Sequence, residues 1–232
     1  MTRRATKPQA KSAATLRAEA VLPWGFVARS VEYRLGYTPS LAPRPRAKRL
    51  SANCILSHGL VSITFHLVDA FPANLRAEWM ALLEIEDQRE RRNQLAQYLD
   101  KGRGACWLRR PQLGGMVDQA IRFYHHKRYD LLAWVVMPNH VHALFKVNTI
   151  PLSIIVADLK EYTAREANKE LGRRGQFWAD DYWDTFMRNA EHELKTRRYI
   201  ENNPTKAYLV RDPKDWPWSS ARFRDDHGVL RF

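Results

Sequence analysis

Regular alternation begins at Val61. In Val61-Ser62-Ile63-Thr64-Phe65-His66-Leu67 apolar side chains take every second position, the period of a strand with one buried face. Upstream, over residues 1 to about 57, no period persists. Pro, Arg and Ala are scattered, as in Pro43-Arg44-Pro45-Arg46, and disorder or weak local structure is expected. After Phe71-Pro72 the pattern predicts one long helical stretch, about 73 to 100. Its second half, Glu84 to Arg92, is dense in both signs of charge and so solvated, and Gly102 and Gly104 end it. Leu113, Val117, Ile121 and Tyr124 recur at helical spacing and predict a helix from Pro111 to about His125.

The run Leu131 to Met137 is continuously apolar, the signature of a central strand covered on both sides. Pro138-Asn139 suits a tight turn, so this strand and the next, His140 to Val147, are expected to form a hairpin. The second strand alternates. Val141, Ala143, Phe145 and Val147 share one face; His140, His142, Leu144 and Lys146 share the other. A slip of one residue would bury both histidines in the apolar core, so the register is well specified. Pro151 and Ser153 open a helix with Ser153 as N-cap. Leu152, Ile155, Val156, Leu159, Tyr162 and Thr163 form its apolar stripe, and Gly172 closes it. An edge strand is expected near Trp183 to Arg188, then a helix from about Ala190 to Asn203 stopped by Pro204, then a Trp-rich loop or short turn from Asp212 to Arg222. This order describes an α+β domain, an antiparallel sheet with helices mainly on one face and the other face free to hold a site.

Composition narrows the partner. The chain has 232 residues, 45% hydrophobic and 27% charged, enough for one ordinary core with an appended tail. Its net charge is +13, and a polyanion is the natural partner of such a chain. Residues 1–50 carry +9 of that charge, so the rest need hold only local basic patches. Cys54 and Cys106 form no zinc-type spacing and are expected to be incidental thiols in a reduced compartment. No apolar run approaches the roughly 20 residues that cross a bilayer. The arm lacks an apolar secretory core; its Arg-, Ala- and Ser-rich composition leaves an organelle transit peptide open, with a solvated basic tail the expected reading.

His140 and His142, at i and i+2 on a strand, project from one face and can converge on one cation. An incidental surface pair has the same spacing. A histidine-triad hydrolase would need a third histidine at 144, which is Leu144, and no P-loop, Gly-x-Ser-x-Gly or His-Glu-x-x-His motif is present. Tyr199 and Asn203 lie one helical turn apart, offering a phenol and an amide oxygen on one face. A packed tyrosine and a helix-terminal Asn before Pro204 have that spacing too.

Together these stretches are familiar. Leu132 to His142 (LAWVVMPNHVH) resembles the signature of REP-associated tyrosine transposases of the HUH superfamily, with Val141 as the apolar residue between the histidines. Lys160 to Asn168 (KEYTAREAN), Phe177 to Arg188 (FWADDYWDTFMR), Arg198 to Lys206 (RYIENNPTK) and Asp215 to Ser220 (DWPWSS) are similar to later family motifs, in the family's order. The likeness runs from about Val61 to Arg222. Residues 1–57 are therefore expected to be a basic arm outside it, and residues 58–232 one transposase domain with a Trp-rich tail. The resemblance implies a ferredoxin-like or RRM-like sheet with the histidines on a central strand. It also implies a cytoplasmic bacterial enzyme acting at the nucleoid, a monomer or homodimer, that cuts and rejoins single-stranded DNA near hairpin-forming palindromic repeats. Residue by residue it places the divalent metal, Mg²⁺ or Mn²⁺, on His140 and His142, with Asn203 as a further ligand, and the nucleophile on Tyr199. The product would be a 5′-phosphotyrosine, whose bond conserves the energy needed for resealing.

For DNA contact the candidates are Lys160, Arg165, Arg173, Arg174 and Arg188 as phosphate ligands, against the plain alternative of a solvated surface. Trp178, Trp183, Trp216 and Trp218 are of the type that stacks bases, although packing is their expected use. Two other functions compete: a domesticated nucleic-acid-binding protein without turnover, and a hydrolase of small phosphoesters that uses the histidines alone.

Overall fold

The computed structural model describes residues 59–232. The expectations for residues 1–57, and for Cys54, lie outside the described residues. Strand β1 (Leu60–His66) sits where the alternation placed it. Helices α1 (Arg76–Leu83) and α2 (Gln88–Asp100) follow, then α3 (Pro111–Phe123), β2 (Tyr129–Val136) and β3 (His140–Val147). The chain continues through α4 (Leu152–Glu170), β4 (Trp183–Phe186), α5 (Ala190–Glu201) and the short α6 (Asn203–Lys206). The strands form one antiparallel sheet in the order β2-β3-β1-β4, so the fold is α+β and the histidine strand β3 is internal.

The sheet separates two clusters. Val61, Ile63 and Phe65 of β1 and Val141, Ala143, Phe145 and Val147 of β3 pack beneath α3 and α4, through Leu113, Val117, Ile121, Ile155, Val156 and Leu159. This is the larger, dry cluster, and its members are those the alternation assigned to the core. On the opposite face Leu144 joins Ala133, Val135, Met137, Ile200 and Trp216, where α5 lies across β2 and β3. That face carries His140 and His142, and α5 closes part of it.

Four local expectations change. The stretch 73–100 is two helices, because Asp87 turns out of helical geometry and caps α2, its carboxylate accepting the Glu90 N–H at 2.7 Å. Pro151, not Ser153, precedes α4, with no side-chain cap. Pro204 does not simply stop a helix; it lies in the first turn of α6, where its missing N–H costs nothing. And β2 is the edge strand of the sheet, not a central one.

Its continuous apolar run reflects burial of both faces, with Leu131, Trp134 and Val136 in the larger cluster and Ala133, Val135 and Met137 in the smaller, while the C-terminal tail covers its edge. The tail runs along the outer edge of β2: the Val136 N–H donates to Trp218 O (2.9 Å), Trp216 Nε1 donates to Val136 O (2.9 Å), and the Trp134 N–H donates to Ser220 Oγ (3.1 Å). An edge strand so covered has no exposed ladder and can be apolar on both sides. Gly114 permits this packing, since a Cβ there would sit 2.7 Å from the Trp218 ring. The Asp-Trp-Pro-Trp-Ser-Ser segment is thus structural. Trp178 is likewise spent on the core, its indole donating to Thr163 Oγ1 at 2.9 Å.

Candidate active site on the histidine face

Both histidines are fully enclosed, and each is held through Nδ1 by a different partner. The Asn139 side chain is oriented by its own donation, Nδ2 to Arg103 O at 2.9 Å, so its Oδ1 faces His140 Nδ1 at 2.8 Å as an acceptor. His140 must therefore carry its proton on Nδ1 and leave Nε2 bare. His142 Nδ1 meets Thr64 Oγ1 at 2.7 Å, across the β1–β3 pairing that sets Thr64 opposite His142. A hydroxyl both donates and accepts, so His142 can offer His140 an N–H or offer a cation a bare Nε2. The two Nε2 atoms are 3.1 Å apart. Orienting partners behind each ring are the usual support of metal-binding histidines.

Burial holds both imidazoles neutral. His142 is pushed down to about 3, first by burial and then by the positive charge of Lys206. His140 lies well below the ordinary value through burial, with His142 and His66 adding to it. Neutral imidazoles are the form that binds metals.

The phenol comes from α5. The Tyr199 ring stands edge to face with His142, centroids 5.7 Å apart. It opens onto a cavity of about 680 Å³ lined by α2 on one side (Asn93, Gln97, Asp100) and by Tyr199, Lys206 and Tyr208 on the other. Burial and then the negative charge of Asp100 push the phenol up to about 12, against a lowering by Asn203. At neutral pH the phenol is therefore protonated. Lys206 lies 4.3 Å over the ring, a cation beside the phenol.

Asn203 is fully buried; neither its Oδ1 nor its Nδ2 makes a hydrogen bond of full geometry, although the amide interacts closely enough with the Tyr199 phenol to lower its pKa. Unpaired buried amide atoms are costly and call for an explanation. A cation supplies one, for the amide oxygen is a good ligand. The residues thus fit a cation: a bare imidazole nitrogen and a second that can be bared lie 3.1 Å apart, and an incompletely paired amide lies beside the neighbouring phenol.

Four contributors were not legible in the chain: Thr64, Asn139, Lys206 and Asp100. Asn139 and Lys206 fall inside the quoted motifs, but only pairing and packing give them partners. Asp100 ends the charged helix α2, and nothing local distinguishes it from its solvated neighbours. The five basic candidates are not brought to the cavity. Lys160 bonds the carbonyls of Ala179 (2.6 Å) and Asp180 (2.9 Å), stapling α4 to the segment before β4. Arg165 pairs with Glu166 and lies over the Tyr162 ring, and Arg173 bonds Gln176 O. Arg174 and Arg188 are exposed. Of the remaining tryptophans, Trp183 is half-buried beside His66, ring centroids 5.5 Å apart. Among the described residues no helix is long and apolar enough to cross a membrane.

Residues 112–203 match the family described as Transposase IS200 like. The REP-associated tyrosine transposase of Escherichia coli (strain K12) is 27% identical over 103 residues, 43% of this chain and 59% of its own length. A provisionally named REP-associated tyrosine transposase of Haemophilus influenzae is 28% identical over 106 residues, 41% of this chain and 60% of its own. The chain thus spans about three fifths of the length of these curated relatives. A solved REP-associated tyrosine transposase bound to a REP hairpin aligns over 78% of this chain and 82% of that one, at 18% identity and a TM-score of 0.43. The segment similar to that family runs from the first turn of α3 to the start of α6 and takes in His140, His142, Tyr199 and Asn203.

Proposed function

We propose that this protein is a metal-dependent endonuclease and strand transferase of single-stranded DNA, acting near hairpin-forming palindromic repeats through a 5′-phosphotyrosine on Tyr199. The observation that carries this reading is the meeting of the α5 phenol with the β3 imidazole pair, ring to ring at 5.7 Å, at the wall of an open cavity. The names of the relatives support the choice of DNA as substrate.

His140, His142 and Asn203 would hold a Mg²⁺ or Mn²⁺ ion, which when bound polarises a phosphate oxygen and offsets its charge. The chain's own residues do the rest. Asn139 and Thr64 fix the rings; α5 aims the phenol; Lys206 adds positive charge where the phosphate must approach. The Tyr199 oxygen attacks phosphorus, forming the phosphotyrosine bond as the bond to the 3′-oxygen breaks. The phenol gives up one proton and the departing 3′-hydroxyl gains one, so the exchange is balanced and needs no nucleotide. Attack by a 3′-hydroxyl on the same phosphorus reseals the strand and restores the phenol. The exposed guanidiniums of Arg174 and Arg188 remain available to a DNA backbone, whereas Lys160, Arg165 and Arg173 serve it only at the expense of existing partners.

The test is a labelled hairpin oligonucleotide incubated with the protein and Mn²⁺, then run on a denaturing gel. Wild type should yield a slow covalent protein–DNA band, and Tyr199→Phe none. A covalent band of equal strength from Tyr199→Phe would refute the assignment.

A further inference from the structure

The reading above gives the cation two imidazoles and an amide, all neutral. The structure supplies a charged group to the same place. Asp100, the last residue of α2, puts Oδ1 3.5 Å from His140 Nε2, and the ligand atoms of Asp100, His140 and His142 all lie within 4.8 Å of one another. Two donors about 2.1 Å from one ion sit about 3.0 Å apart at octahedral angles and about 3.4 Å at tetrahedral ones. The observed spacings, 3.1 Å between the imidazoles and 3.5 Å from His140 to the carboxylate, are of that kind.

The carboxylate also feels the charge of Lys206. Oδ1 is buried and makes no hydrogen bond, although a carboxylate oxygen accepts readily. Facing it is His140 Nε2, which Asn139 keeps bare, so two acceptors confront each other with no proton between them. Such a pair is unfavourable alone and favourable around a cation.

The position of Asp100 is also built. Tyr98, two residues earlier, stacks on Phe71 at 5.2 Å with the rings nearly parallel, and Leu99 is fully buried. The chain then turns through Gly102–Cys106. Gly104 adopts φ +84° and passes so close to Asp69 that a Cβ would lie 2.5 Å from its carbonyl oxygen, so only glycine fits. Asp69 Oδ2 accepts the Ala105 N–H at 2.8 Å. Asn139 joins the two halves, one end of its amide on His140 and the other on Arg103 O, three residues past Asp100. A single buried side chain thus sets both the histidine tautomer and the distance from the histidine to the end of α2.

We propose that Asp100 is a direct ligand of the cation held by His140 and His142, delivered by α2 and registered by Asn139, so that the metal set includes one carboxylate. This rests on the histidine site proposed above. It makes α2, which lies outside the segment matched by the family, part of the catalytic centre, and it favours hard divalent ions over soft ones.

Mn²⁺ binding to the full chain without DNA tests it, read by loss of the free-ion electron paramagnetic resonance signal. Wild type should bind one ion, and His140→Ala none. Asp100→Ala should weaken binding at least tenfold, and Asp100→Asn, which keeps the shape and one oxygen, by less; thermal melts check that each variant is folded. Wild-type affinity in both folded Asp100 variants, with none in His140→Ala, overturns the carboxylate ligand and leaves the histidine site standing. Undiminished binding in His140→Ala overturns the histidine site itself.

Discussion

On one face of β3, Val141, Ala143, Phe145 and Val147 meet α3 and α4 in a cluster of apolar side chains. On the other lie His140 and His142; nearby, the Asn203 amide atoms and Asp100 Oδ1 are buried without a hydrogen bond of full geometry. The same eight residues supply both faces, and all but Lys146 are buried. On the first, every buried atom finds a partner of its own kind, and burial is net stabilising. On the second, burial strips polar groups of water without pairing them, a cost that stability alone does not justify. The metal site proposed above would offset that cost.

The sharpest way to break this contrast is to cut into the dry face. Phe145→Ala removes a fully buried ring that packs on Tyr129 at 4.5 Å, and should lower unfolding free energy by about 3–5 kcal/mol in urea titration. On the site face Tyr199→Phe should leave the urea midpoint near wild type while the covalent band vanishes. Next in size, Lys206→Gln should slow adduct formation about tenfold, roughly 1.4 kcal/mol of barrier, with little change in stability. A rate equal to wild type would show that the ammonium over the phenol serves the ring and not the phosphate. Smallest is a gain. Asn203→Leu replaces an unpaired buried amide by an apolar side chain of similar size, and should stabilise the metal-free protein by about 1 kcal/mol while weakening Mn²⁺ binding. A destabilised Asn203→Leu would mean that the amide is already satisfied, and the contrast between the faces would shrink.

Much of the scaffold was visible beforehand because it depends on short periods. The strand β3, its register and its two faces follow from alternation, and the i, i+4 spacing of Tyr199 and Asn203 from the helix turn. Where local pattern misled, something distant had intervened. The apolar run of β2 looked central because both its faces are buried, and its outer edge is covered by a tail eighty or more residues away. The charged stretch 84–92 looked like the middle of one helix because Asp87 is a capping residue only if the chain bends there.

The histidine pair, the tyrosine helix and the family likeness were written into the chain, since each depends on residues close in sequence whose relative placement the backbone repeat dictates. Thr64 behind His142, 78 positions away, was decided by strand pairing. Asn139 gripping Arg103, Lys206 over the phenol and Asp100 against His140 were decided by how α2 and α5 dock on the sheet. A carboxylate at the end of a charged helix has the same local sequence whether it faces water or a bare imidazole. Only the assembled fold, by removing the water, distinguishes the two.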